Sequence, residues 1–105
     1  MFIYYVTFRI HNATVNGATY QQRYDELIKN GRTAAGGFWC GTTSFMLTES
    51  PLGTYDFGKQ LAKGLSAQYD QLLVADPSDK SASCFGAVED FEILKSFFPL
   101  IKKIG

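Results

Sequence analysis

Arg9 and His11 stand two residues apart at the end of an apolar opening run, and they are the first side chains in the chain with chemistry to offer. The Arg9 guanidinium presents five donors that suit a phosphate or a carboxylate, or an ion pair with an acid such as Asp56 or Asp70. His11 is the only histidine. An imidazole suits a general base or a proton donor in RNA cleavage, with Asp70 as the accompanying acid. Thr42, Thr43 and Ser44 gather three hydroxyls at a turn, able to bind a phosphate or to satisfy the turn's own backbone. Lys95, Lys102 and Lys103 are set among Phe91, Leu94, Phe97, Phe98 and Ile101. That makes a hydrophobic, mildly basic tail suited to a partner subunit or another protein, since membrane-binding helices carry a fuller basic face. The binding set read from the residues is therefore Arg9, Thr43, Ser44, Lys95, Lys102 and Lys103. The residues define no catalytic set; the alternative is His11 with Asp70.

Several chemistries lack the residues they need. Cys40 and Cys84 are too far apart for a metal knuckle, and two cysteines with one histidine cannot complete a structural zinc site without carboxylates. They read as reduced core thiols. No phosphate-cradling Gly-x-x-x-x-Gly-Lys occurs, and no glycine pattern makes a nucleophile elbow of Ser44. Ten basic and ten acidic side chains cancel, which removes the general attraction that phosphate-neutralising proteins show. No run approaches the roughly 20 apolar residues of a membrane helix. The opening apolar run is short and has no basic region before it, so the expectation is a cytoplasmic protein with no membrane contact.

The elements that must carry these residues follow from periodicity. Phe2 to Ile10 (FIYYVTFRI) is a β-branched and aromatic strand, expected to be central. Thr19 and Gln22 form a capping box, and Tyr20, Tyr24, Leu27 and Ile28 follow at helical spacing until Asn30-Gly31 closes the helix. A small-residue connector over 32–37 leads to a central hairpin, Gly36 to Thr48, turning around Gly41-Thr42. In its second arm Phe45 and Leu47 share one face, with Ser44, Met46 and Thr48 on the other. Thr54 is the expected N-cap of a second helix with the stripe Phe57, Leu61, Leu65 and Tyr69. Leu72 to Ala75, apolar on both faces, reads as an internal strand. Cys84 to Val88 reads as a short edge strand, and a helical pattern from Asp90 is stopped near Phe98 by Pro99.

Two strand-helix-strand units joined by a hairpin give a ferredoxin-like βαββαβ antiparallel sheet with both helices on one face. The predicted division is a domain over 1–90 and a C-terminal arm over 91–105 that packs on its own or a partner subunit. At 46% hydrophobic and 15% aromatic, the chain has rings to spare for the other sheet face, which a homodimer or the arm would cover.

Tyr5-Val6-Thr7-Phe8, the helix with Tyr24 and Leu27, Gly36-Gly37-Phe38-Trp39, Thr43 to Leu47 and Tyr69 to Val74 occur in an order that resembles a group of small ferredoxin-like proteins. These are the CRISPR spacer-acquisition dimer subunit, the VapD toxins and the SinR-like hypothetical proteins. The resemblance implies a homodimer and, in the nuclease members, metal-dependent phosphodiester cleavage with magnesium held by an aspartate at the end of the first strand. Arg9 falls at that position here, and a guanidinium cannot ligate magnesium. The function expected is thus non-catalytic and homodimeric, binding RNA, DNA or protein without a cofactor. The alternative is a metal-dependent or toxin-like endoribonuclease using Mg2+.

Overall fold

A computed structural model describes residues 1–32 and 36–105. In chain order the elements are β1 (Phe2–Arg9), α1 (Tyr20–Arg32), β2 (Phe38–Trp39), β3 (Phe45–Ser50), α2 (Thr54–Ala62), β4 (Gln71–Ala75), β5 (Ala82–Gly86), α3 (Phe91–Phe97) and β6 (Lys102–Ile104). One mixed six-stranded sheet runs β2-β3-β1-β4-β5-β6, antiparallel throughout except for the parallel β5–β6 pair. The sheet therefore exceeds the four strands of a βαββαβ core by two: β5, expected as a short extra strand, and β6, which follows α3 in the segment beyond residue 90. The fold class shown is α+β.

β1 is central, as its unbroken β-branched and aromatic run predicts, with β3 on one side and β4 on the other. Strand alternation sends Tyr4, Val6 and Phe8 to one face, where they pack with Met46, Leu72 and Val74 against Leu27 of α1 and Phe57 and Leu61 of α2. This is the main core. Ile3, Tyr5, Thr7 and Arg9 point to the opposite face.

The capping box at the start of α1 forms as its spacing requires. The Gln22 N–H donates to Thr19 Oγ1 at 3.1 Å, and the Thr19 N–H donates to Gln22 Oε1 at 2.8 Å. Thr19→Ala should lower stability by about 1 kcal/mol, read as a lower urea midpoint at unchanged slope. An unchanged midpoint would show that the box contributes nothing. The helix continues past the expected stop at Asn30-Gly31. Gly31 is buried inside it for packing, since a Cβ there would lie 2.8 Å from the Met46 sulfur.

Other expectations are corrected. Thr54 is the first residue of α2 and Gly53 the N-cap; the Thr54 hydroxyl bonds instead to that of Ser81. α2 ends at Ala62, so Leu65 packs from the following loop and Tyr69 is exposed. The hairpin is less central than its composition suggests, because β2 is one of the sheet's two edge strands and only two residues long. β5 is not an edge, since β6 pairs with it through Ser83–Lys102 and Cys84–Lys103. Of the connector expected over 32–37, residues 33–35 lie outside the described residues.

Helix α3 lies on the face away from α1 and α2, and the handedness of crossovers explains why. β1 and β5 point the same way, but β1–α1–β2 steps across the sheet in one direction and β5–α3–β6 in the other. Parallel crossovers are right-handed almost without exception, so reversing the step moves the helix to the opposite face. There Phe91, Leu94 and Phe98 pack with Val88, Leu73, Ala75, Ala82, Cys84 and Ile101 into a second, smaller core.

Candidate functional site

Among the described residues, half of that second sheet face is left open. Strand register puts Trp39, Leu47, Tyr5 and Ala75 in one row and Phe45, Thr7, Leu73 and Cys84 in the next. α3 covers the β4–β5 end of these rows and leaves the β2-β3-β1 end uncovered. Ile3 is 55% exposed, and Tyr5 and Trp39 are each 48% exposed. Phe45 sits between Tyr5 and Trp39, with ring centroids 6.2 Å and 6.5 Å away and edges turned to faces. Such edge-to-face pairs favour a fixed arrangement over a loose one. The result is a pre-formed aromatic surface in which most rings still face water.

A groove of about 410 Å³ separates this surface from α3. Its floor includes Thr7, Arg9 and Leu73, and its far wall is Ile93, Leu94 and Phe97 of α3. Ile93 is 61% exposed and Phe97 is 70% exposed, so the wall is apolar and unfilled.

Arg9 closes one end of the groove. Its partner is neither Asp56 nor Asp70, as expected, but Glu89, at 3.7 Å between largely exposed groups. With the Gln71 amide turned to accept, as the hydrogen-bond network requires, its oxygen takes Arg9 Nε at 3.1 Å and Nη2 at 2.9 Å. An exposed pair at that distance contributes on the order of 0–1 kcal/mol. Arg9 is thus held in place by an amide while much of its charge remains available.

Asp70 belongs to a different constellation. It is fully buried and pairs with Arg23 Nε at 3.1 Å, the two side chains being 0% and 2% exposed. Asp70 also accepts the backbone N–H of His11 and of Ser66, each at 2.8 Å. Arg23 donates to the carbonyls of Ala18, His11 and Ala13. The pair therefore ties the loop after β1 to the loop before β4. A side chain at Gly86, where φ is +87°, would collide with the Asp70 carbonyl oxygen, which accepts from the Ala87 N–H. His11 has its backbone clamped from both sides, and its ring stacks on Tyr69 at 5.1 Å.

The remaining predicted residues do not gather at one place. Thr43 and Ser44 are exposed in the β2–β3 turn; the Ser44 carbonyl accepts from the Phe8 N–H and the Thr7 hydroxyl, so this residue is spent on holding the turn to β1. Lys102 and Lys103 are adjacent on a strand and so project to opposite faces. Lys103 lies over the Phe91 ring at 4.2 Å, and Lys95 is exposed on α3. The three lysines form no single basic patch.

Arg23 is the residue sequence reasoning missed. Arg23, Leu27 and Gly31 recur four apart and are the buried residues of α1, so an arginine in register with the buried leucine was the available signal. The cysteines are free. Cys84 is in the second core, where burial pushes its thiol up and nearby Lys103 partly offsets this; Cys40 is half-buried in a loop. A thiol reagent near pH 8 should modify Cys40 at least about tenfold faster than Cys84, because reactivity follows access and thiolate fraction. Equal rates would contradict the burial of Cys84.

Among the described residues no helix is long and apolar enough to cross a membrane, and no group of three or more His, Cys, Asp or Glu is placed to hold a metal ion. Comparison with family models, with curated proteins and with solved structures gives no match.

Proposed function

We propose that the chain is a non-catalytic homodimeric interaction protein built on a ferredoxin-like core. The observation that carries this reading is the open half of the sheet face with Ile3, Tyr5 and Trp39 half exposed. A contiguous apolar patch of this kind, rich in Tyr and Trp and rimmed by Arg9 and by Glu49, which lies opposite Ile3 in the strand register, has the composition of a protein interface centre. The ferredoxin-like part of the reading is supported by the order β2-β3-β1-β4, with α1 and α2 packed on one face of those strands. β5, α3 and β6 are additions to it. Zero net charge and the scattering of Lys95, Lys102 and Lys103 favour protein over RNA or DNA. The endoribonuclease alternative draws no comparable support, because the Asp70 carboxylate is enclosed by Arg23, His11 and Ser66 donors rather than turned to solvent.

Two readouts test the proposal. Trp39, the only tryptophan, should be protected from acrylamide quenching at micromolar concentration and become more accessible on dilution. Structured and single-stranded RNA and DNA should stay intact with magnesium or with chelator. Metal-dependent cutting lost in His11→Ala would overturn the non-catalytic reading.

A further inference from the structure

We infer that the second copy covers the open half-face with its own α3, so that two α3 helices lie side by side between two sheets. This rests on the homodimer reading and specifies how the dimer closes.

The groove beside α3 is unfinished on two sides at once. Its floor is uncovered sheet, and its wall is the uncovered Ile93–Phe97 edge of the helix. A valley and a ridge lying next to each other on one surface are self-complementary under a two-fold axis, which is what an isologous interface needs. The ridge of each copy fills the valley of the other.

Strand register decides which axis does this. α3 begins beyond Gly86, which is level with Gln71 and Arg9, and the chain returns to the sheet at Lys102, level with Ser83 at the start of β5. α3 therefore runs from the Arg9 end of the sheet toward the opposite end. An in-plane axis parallel to the strands keeps that direction and exchanges the two halves of the face. The partner's helix then lies over β1 and β3, running the same way, with the two Ile93 and Phe97 edges in contact along the axis. An in-plane axis perpendicular to the strands would instead stack helix on helix and leave both aromatic half-faces looking across a gap.

Charge favours the same choice. The parallel axis carries the start of the partner's α3, with its Glu89 and Asp90, to the Arg9 end of the open half-face. Arg9 is paired loosely, at 3.7 Å and largely exposed, with its own Glu89. It has donors to spare for a second carboxylate.

The test is disulfide trapping in a Cys40→Ser background, with the dimer mass followed by sedimentation. Helices side by side with these residues on the axis bring Cα atoms into disulfide range. Phe97→Cys and Ile93→Cys should each give a covalent dimer under mild oxidation, while Lys95→Cys, on the far side of the helix, should give at least tenfold less. Two positions are used because one substitution could weaken the dimer. A dimer by mass in which neither position 93 nor position 97 crosslinks would overturn the helix arrangement and leave the dimer standing. A monomer before any substitution would overturn both.

Discussion

Arg23→Met is expected to destabilise the chain by about 3–5 kcal/mol, because it leaves the Asp70 carboxylate buried without its counter-charge. Domains of this size have roughly 5–15 kcal/mol in total, so the variant should lose a large fraction of its stability, read as a much lower urea midpoint. The second variant of the cycle is the more informative one. Replacing both members of a buried pair by apolar residues is often neutral or stabilising. Here it should not be, because most bonds of the pair go to backbone groups: the N–H of His11 and Ser66, and the carbonyls of Ala13, Ala18 and His11. Arg23→Met with Asp70→Leu would orphan these groups, each costing about 1–3 kcal/mol if it stays buried. Urea denaturation should therefore find the double variant no more stable than Arg23→Met alone. Recovery to the parent midpoint would show that the pair serves charge neutralisation and not loop anchoring.

The largest effect on assembly is expected from Tyr5→Glu. Tyr5 is the centre of the open half-face, beside Phe45 and opposite Leu47, and about half of it meets water in the single chain. A carboxylate there costs the monomer little, since the side chain is at a surface. In a closed dimer each such charge would be buried beneath the partner's α3 without a counter-charge. A penalty of at least about 3 kcal/mol is expected, a weakening of about a hundredfold or more. Concentration-dependent sedimentation velocity with circular dichroism should show a folded monomer. A Tyr5→Glu protein that dimerises like the parent would move the interface elsewhere.

How far the sequence disclosed this structure depended on whether the signal was local. The Thr19–Gln22 box, the β1 run, the alternation of β3 and the two-sided apolar β4 are all governed by neighbours in sequence, and each appears where its pattern puts it. β6 was hidden because Lys102-Lys103-Ile104 has little strand character of its own and is fixed by pairing with β5. The face taken by α3 follows from crossover handedness only once that pairing is known. Arg23 was hidden because arginine is normally a surface residue. Its burial depends on Asp70, remote in sequence, and no periodicity links the two. The open half-face was half legible: an excess of rings needing cover was readable, but which rings stay uncovered was decided by where α3 lies.

A second copy covering the open half of the sheet makes the chain a dimer in solution. Sedimentation equilibrium of the unmodified chain at micromolar concentration tests it most directly. A species of twice the 11.7 kDa chain mass is expected; a single species at 11.7 kDa across the whole range would show that no second copy covers the face.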